Sequence, residues 1–493
     1  MHKILREPSV MKDLRARAKE FYNALNFERP INFGMTQLVK PEDAQPGDVY
    51  VPDLHGGEGT LDAVQELADQ IDFSESAGAY LFTGNRGTGK TTELMRLAKI
   101  LSGEDYGFEV FYVDVAEYLN TSQPVEISDF LISVLGALSD KVQERFRDGF
   151  GKPGFFDRIW SFLQSEVQLG ELSLPAGPAE LKAALVQTPL FKEQLQRHIR
   201  GHVSTLVKQA REFALDVVMH VRSKRMADDL KVVLIVDSVE KLRGVGSEQT
   251  REVFKSVETL FGSHAESLRF TGLSVVYTIP PYLQALAGAL GRHYAGGRIY
   301  ALPSVHVYEC CPGPGQRPEV SDDGIGKMLA IVERRFPGHA EFFAEGQLAR
   351  LARNSGGDLR DFFRMARLAI TRAASVGVPL TEAIISTAED AVRRDMMPIA
   401  ADDRQWLLKI AQSHAAELPS LDQLPELARL QEGNYVLHYR NGEDWYAVHP
   451  LLHEKLDDMT SNGRLQGTID FEKARREVSQ RLEAAEPTRT KPS

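Results

Sequence analysis

The residues of this chain whose types and spacing indicate a definite chemistry form one short run, Gly84–Thr91. The run matches the pattern G-x-x-x-x-G-K-[ST], a glycine-rich turn followed by a lysine and a hydroxyl side chain. Backbone N–H groups of such a turn surround a polyphosphate, while the lysine reaches the β- and γ-phosphates and the hydroxyl binds Mg²⁺. The pattern therefore predicts a site for a nucleoside triphosphate, expected to be ATP, together with Mg²⁺.

The predicted nucleotide contacts all come from this loop and the residue after it. They are Gly84, Asn85, Arg86, Gly87, Thr88, Gly89, Lys90, Thr91 and Thr92. An apolar run at 79–83 predicts a buried strand before the loop, and an amphipathic run at 92–101 predicts a helix after it. Strand, loop and helix in this order are the context that the motif requires, whereas a glycine-rich turn that matches by chance is the alternative.

A carboxylate stands at the end of another apolar run, 231–237 (KVVLIVD). Asp237 is predicted to order Mg²⁺ through its water shell, with Thr91 as the other protein group at the metal. The next residue is not a glutamate, so the nearest candidate general base for the attacking water is Glu240. The alternative for Glu240 is a surface ion pair with Lys241 or Arg243.

Thr278 and Arg360 complete the predicted catalytic set. Thr278 ends the apolar run 273–278 and is expected to lie between the P-loop strand and the Asp237 strand, near the γ-phosphate. Arg360 follows a residue pattern typical of a helix cap and is expected to point back toward the phosphates, since a guanidinium is permanently charged and bidentate. An ion pair with Asp358 or Asp361 is the alternative for Arg360.

Two further arginines precede the predicted fifth strand, within 299–307. Either Arg292 or Arg298 is in the region from which an arginine finger reaches the nucleotide of a neighbouring subunit. The sequence does not distinguish between them.

Composition excludes several other classes of protein. The chain has 493 residues, of which 43% are hydrophobic and 26% charged, enough for roughly three domains. A net charge of −11 argues against a surface built mainly to hold nucleic acid, and the two cysteines exclude a disulfide framework. The first residues are charged throughout and no long apolar stretch predicts a membrane span, so a cytoplasmic protein is expected.

The order of patterns predicts an α/β fold: a P-loop NTPase parallel sheet with a helical insertion, followed by an α-helical lid and a winged-helix domain. The insertion is expected to include one long helix at about 189–226, and Asn441-Gly442 is a strong hairpin signal between two alternating strands. The predicted domains are a 1–49 N-terminal helical extension, a 50–320 ATPase core with its insertion at about 125–228, a 321–398 lid, a 399–465 winged-helix domain, and a 466–493 C-terminal helix and disordered tail.

Taken together, these segments resemble the AAA+ superfamily. They are GNRGTGKT at 84–91, LIVDSVEKL at 234–242, VVYT at 275–278, GGDLRDF at 356–362 and the predicted C-terminal winged helix. The similarity is greatest to the initiator-type, origin-recognition-like branch and to the STAND signalling ATPases. Initiators place a glutamate directly after the Mg²⁺ acid, whereas STAND proteins often have a small residue there and an acid three positions on, as in DSVE at 237–240.

The resemblance implies an ATP-dependent conformational switch that assembles with itself and activates a separate effector protein, a role that bacterial relatives often have in antiphage defence. Two alternatives stay open: a DNA-associated ATPase of replication or transposition, and a non-hydrolysing nucleotide-bound scaffold. Nucleic acid is not favoured, because the second helix of the predicted winged helix carries Asp422 and Glu426 where a DNA reader needs cations. We expect residues 401–460 to contact protein.

Replacing Lys90 with Ala should abolish ATP binding, because it removes the cation that reaches the β- and γ-phosphates. Titration calorimetry with Mg²⁺ and ATP measures the effect, and Lys99→Ala, in the same predicted helix, is the control. Micromolar binding by the Lys90→Ala protein would show that the nucleotide site is elsewhere.

Overall fold

A sheet of five parallel strands lies at the centre of the computed structural model, which describes residues 8–35, 38, 43–56, 62–147, 154–165, 183–184, 187–242, 247–309, 311–416, 418 and 423–456. The strands are β1 Ala79–Gly84, β2 Glu109–Asp114, β3 Val232–Asp237, β4 Leu273–Thr278 and β5 Ile299–Leu302. Their order is β2-β3-β4-β1-β5. The sheet confirms the predicted α/β class. Because carboxyl ends of parallel strands share one edge, the loop after β1 and the ends of β3 and β4 meet there.

Helices surround this sheet and continue beyond it. They are α1 Pro8–Ala24, α2 Ala63–Phe73, α3 Lys90–Leu101, α4 Ile127–Phe146, α5 Phe155–Ser165, α6 Pro189–Ile199, α7 Val203–Arg225, α8 Ser247–Ser263, the short α9 Ala287–Leu290, α10 Asp322–Arg335, α11 Gln347–Asn354, α12 Leu359–Val376, α13 Glu382–Asp395, α14 Ala401–Ser413 and α15 Leu424–Glu432. The single helix predicted at 189–226 was wrong: the 3-10 turn Arg200–His202 separates α6 from α7, and Gly201 within that turn is a weak helix former.

Apolar helix faces cover both sides of the sheet. On one side α2 and α3 bury residues such as Leu67 and Leu94 against Phe82 and the strands beside it. On the other side lie α4, α7 and α8, with Phe130 and Phe213 in the same apolar core as the strands. Helices α4 and α7 belong to the predicted insertion, so the insertion supplies much of the second helical layer of the core.

The fifth strand ends at Leu302, within the predicted range 299–307. Pro303 has no N–H to donate to a neighbouring strand. Beyond it, Ser304 N donates to His438 O at 2.8 Å and Val305 N donates to Gly357 O at 3.1 Å. The chain leaves the sheet here because its backbone bonds to the turn before α12 and to the C-terminal hairpin.

The N-terminal helix packs on the lid. Helix α1 lies along α12, and the fully buried Phe21 stacks on Phe336 with ring centroids 4.4 Å apart. The edges of Phe342 and Phe343 meet the same ring. The predicted N-terminal extension therefore contributes a further helix to the lid bundle formed by α10–α13.

After α14 and α15, the strands β6 Val436–Asn441 and β7 Glu443–Val448 form an antiparallel hairpin. Its turn is at Asn441-Gly442, as the sequence predicts, and Gly442 has φ of +92°. The described residues up to 450 form one compact unit, and those at 451–456 belong to a second. The predicted tail, 466–493, lies outside the described residues. In the described part of the chain, every helix is too short or too polar to cross a membrane.

Phe21→Ala should lower the free energy of unfolding by about 3–5 kcal/mol, because it leaves a cavity among three aromatic rings. Denaturant unfolding followed by circular dichroism measures the change. Phe73→Ala is the matched control, since that ring is 83% exposed at the end of α2, and it should be nearly neutral. Equal stability of both variants would mean that α1 does not pack on the lid in solution.

Candidate nucleotide-binding site

The loop between β1 and α3 forms a cradle of backbone groups. Gly87 and Gly89 have φ of +87° and +86°, a conformation that glycine adopts without steric cost. Lys90 Nζ donates across the loop to Gly84 O at 2.8 Å and to Asn85 O at 3.0 Å. Helix α3 begins at Lys90, so its N-terminus faces the space that the loop surrounds, as phosphate binding requires.

The metal side of the site is built around Asp237. Thr91 Oγ1 donates to Asp237 Oδ2 at 2.8 Å, so the two predicted Mg²⁺ groups are in contact. Tyr112 OH donates to the same oxygen at 2.7 Å, and Ser238 N donates to Oδ1 at 2.6 Å. Burial, and then the nearby Glu240 carboxylate, raise the pKa of Asp237.

The side-chain oxygen atoms of Thr91 and Asp237 are suitable ligands for Mg²⁺. The ion takes oxygen ligands and is usually held by one or two protein groups together with phosphate oxygens and water. Thr91 and Asp237 would hold it here. Across the described residues, His, Cys, Asp and Glu do not assemble in groups of three or more that could bind a metal ion.

Glu240 lies beside the P-loop lysine. Its Oε1 is 3.6 Å from Lys90 Nζ, and its Oε2 is buried without a hydrogen-bond partner among the described residues. The alternative ion pair with Lys241 is not formed in the described part of the chain, because that ammonium donates to Asp114 Oδ2 at 3.2 Å. Arg243 lies outside the described residues. The structure thus brings the candidate base to the site, while its role stays a prediction.

Thr278 lies where the sequence places it, on β4 between the P-loop strand and the Asp237 strand. Its Oγ1 accepts a hydrogen bond from Val239 N at 3.2 Å. The hydroxyl therefore anchors the turn that carries Glu240. Contact with a γ-phosphate stays a prediction.

The lid helix α12 begins beside the phosphate-binding loop. Leu359 N donates to Gly87 O at 3.1 Å, and Asp358 caps α12 by accepting from Asp361 N at 2.7 Å. A Cβ at Gly87 would lie 2.1 Å from Asp358 Oδ2, so a larger residue at that position would displace the carboxylate that caps α12. Burial, and then the neighbouring Asp361, raise the pKa of Asp358.

The Arg360 side chain makes a contact that the sequence did not predict. Its guanidinium lies over the Phe27 ring, 5.4 Å from the centroid. The alternative ion pairs with Asp358 and Asp361 are not found among the described contacts, and Asp361 pairs instead with Arg364 at 2.9 Å. The phosphate-sensing role of Arg360 stays a prediction that requires the side chain to leave this ring.

The C-terminal hairpin also reaches the loop, which the sequence did not indicate. Asn85 Nδ2 donates to Val436 O at 2.9 Å. Asn434 Nδ2 donates to Asp358 Oδ2 at 2.9 Å and to Asp361 Oδ2 at 3.1 Å. A backbone carbonyl as acceptor leaves no residue-type signal in a sequence, so this contact could not have been read from it.

The remaining predicted residues have varied surroundings. Thr92 Oγ1 accepts from Ile31 N at 3.3 Å and so faces the N-terminal segment. Arg86 is exposed on the loop. Arg298 forms an ion pair with Glu66 at 3.2 Å in its own chain, whereas Arg292 is exposed on the turn 291–293.

Comparisons with known proteins found similarity to solved structures at low sequence identity. No protein-family model and no curated protein matches this chain. Solved structures similar to it include Cdc6p from Pyrobaculum aerophilum, with 14% identity over 85% of this chain and 98% of that chain and a TM-score of 0.32. Others are the Walker-type ATPase PABY2304 of Pyrococcus abyssi, with 13% identity over 83% and 99% and a TM-score of 0.39, and the ORC2 protein of Aeropyrum pernix, with 11% identity over 84% and 96% and a TM-score of 0.34.

The strand order and the loop geometry of the chain itself decide the fold. A P-loop follows β1, and β4 separates it from the strand that ends in Asp237. The core is a P-loop NTPase fold. The solved structures are too dissimilar to indicate an activity for this chain. The activity of the site is therefore inferred from the contacts that the site itself makes.

Glu240→Gln should bind ATP but turn it over at least about a hundredfold more slowly, the usual scale for losing a general base. Phosphate release and fluorescent-nucleotide binding measure the two properties. Glu266→Gln is the matched control, since Glu266 also lies on a 3-10 turn but pairs with Arg269 at the surface with its side chain 74% exposed. Normal hydrolysis by Glu240→Gln would assign the base elsewhere.

Proposed function

We propose that this protein binds and hydrolyses ATP and works as a conformational switch, in which the nucleotide sets how the lid and the C-terminal hairpin are held. One observation carries the proposal: both parts bond to atoms of the phosphate-binding loop itself. Asn85 donates to Val436 O at 2.9 Å, and Gly87 O accepts from Leu359 N at 3.1 Å. A ligand that rearranges this loop acts on both contacts at once.

The switch requires a second state with different contacts, because a ligand shifts an equilibrium only by its differential affinity for the two states. Lys90 supports such a difference. Its ammonium is engaged by the Gly84 and Asn85 carbonyls and lies 3.6 Å from Glu240. Phosphate oxygens compete for the same ammonium. We infer that ATP draws Lys90 away from Asn85 O and Glu240 and thereby loosens the Asn85 contact with the hairpin.

Hydrolysis as the reset step is supported by the groups at the strand ends. Asp237 and Thr91, in contact at 2.8 Å, are suited to hold Mg²⁺, which supplies charge stabilisation at the phosphates when bound. Glu240 is suited to orient and deprotonate the attacking water, and Thr278 anchors its turn. A scaffold that binds nucleotide without hydrolysing it, the alternative from the sequence, does not need this carboxylate.

The proposed output is assembly with further copies or activation of a separate effector, with antiphage defence as the setting that the resemblance implies. The packing of α15 favours protein contacts over DNA. This helix packs on the turn Pro281–Leu286 and on α8, and Glu426 Oε1 accepts from Arg251 at 3.1 Å. A recognition helix has to be free to enter the major groove, so the DNA-associated alternative is less well supported.

Asn434→Gly tests whether the contact between the hairpin and the lid is coupled to nucleotide binding. It removes the side chain that bridges Asp358 and Asp361, while glycine tolerates the φ of +60° at this position. Losing hydrogen bonds to buried carboxylates should release the hairpin, so ADP should dissociate about tenfold faster and ATP-dependent assembly should occur at lower ATP. Stopped-flow release of a fluorescent ADP and mass measurement in ATP and in ADP give the two readings.

The matched control is Met226→Gly. Met226 also has a positive φ, +52°, and its side chain is 92% exposed. The substitution should leave release and assembly unchanged. Hydrogen exchange of residues 434–448 should also differ between ATP and ADP in the natural protein and not in Lys90→Ala. Identical exchange and mass in both nucleotides would contradict the switch and favour the scaffold.

A further inference from the structure

Tyr112 has a hydroxyl that the sequence-predicted site does not use. The residue lies on β2, next to the strand that ends in Asp237, and only 7% of it is exposed. Its O–H donates to Asp237 Oδ2 at 2.7 Å. A phenylalanine would fill the same place in the apolar layer, so the hydroxyl has no packing role. A buried hydroxyl is costly unless it is hydrogen bonded, and the bond it makes is to the predicted Mg²⁺ acid.

The bond to Tyr112 comes from outside the phosphate-binding loop. Of the three donors on this carboxylate among the described residues, Thr91 belongs to the loop and helix predicted to hold the nucleotide, and Ser238 N is the adjacent backbone. Tyr112 is fixed instead by the parallel pairing of β2 with β3, in which Asp114 is the register partner of Asp237. The hydrogen bond from Tyr112 to Asp237 therefore does not depend on where the Thr91 hydroxyl lies when a nucleotide binds.

We propose that Tyr112 is a positioning residue for Mg²⁺, which holds the Asp237 carboxylate in the orientation that the metal requires. The proposal rests on the ATP site described above. Outer partners of metal-holding carboxylates typically contribute about 10–100-fold to metal affinity. Tyr112 is expected to act on the Mg²⁺-dependent part of nucleotide binding and to leave the part that needs no metal unchanged.

The test compares the affinity of a fluorescent ATP analogue in Mg²⁺ with that in EDTA. The natural protein should bind more tightly in Mg²⁺. Tyr112→Phe should reduce the ratio of the two affinities about tenfold, with the EDTA affinity unchanged. In an Asp237→Asn background, Tyr112→Phe should change the ratio no further, since the carboxylate it positions is already gone.

Tyr277→Phe is the matched control. Tyr277 is another fully buried sheet tyrosine, on β4, and its hydroxyl donates to Leu268 O at 2.9 Å, away from Asp237. Both Tyr112→Phe and Tyr277→Phe should lower the melting temperature, since each loses a buried hydrogen bond, but Tyr277→Phe should keep the natural Mg²⁺-to-EDTA ratio. An unchanged ratio in Tyr112→Phe, or an equal fall in Tyr277→Phe, would overturn the proposal. If the natural protein shows no nucleotide binding at all, the ATP site itself is wrong, a result distinct from either.

Discussion

The buried carboxylate of Asp237 is the constraint on which the arrangement of the site depends. A charge removed from water is destabilising unless fixed donors replace the water. Here the donors come from three places, the loop helix through Thr91, the neighbouring strand through Tyr112 and the backbone of Ser238. The donors are in reach because the parallel strands end at one edge of the sheet. The order of the strands in the sheet therefore determines which donors reach the Asp237 carboxylate.

The phosphate-binding loop is the second point where separate parts of the chain converge. Gly87 is in contact with the lid, since Asp358 occupies the space where a side chain would be, and Asn85 is in contact with the hairpin. A P-loop needs glycine so that backbone N–H groups can approach phosphates. In this protein glycine at position 87 also leaves room for Asp358 of the lid, so the predicted phosphate contact and the lid contact depend on one residue.

The N-terminal segment joins the lid to the helix that follows the loop. Helix α1 packs on α12, and the chain after it reaches α3, where Ile31 N donates to Thr92 Oγ1 and Tyr50 OH donates to Glu93 Oε1 at 3.0 Å. Phe27, between these two attachments, carries the guanidinium of Arg360. In the proposed switch, a movement of the lid would be transmitted along this segment to the start of α3.

The sequence by itself determined the strand, loop and helix around Gly84–Thr91, the strands ending in Asp237 and Thr278, and the hairpin at Asn441-Gly442. These are local patterns, or patterns with a fixed spacing, because buried strands and glycine turns leave their mark on adjacent residues. The break between α6 and α7 was missed, since one glycine in a long periodic run is a weak signal against packing.

Only the tertiary structure decided which distant groups meet. Tyr112 contacts Asp237 across 125 positions of the chain, Phe27 receives Arg360, and Val436 accepts from Asn85 through its backbone carbonyl. None of these pairs has a spacing that one sequence can reveal. Their contacts are set by strand register and by the packing of helices, which depend on the sum of many apolar contacts, and a backbone acceptor has the same chemistry at every residue.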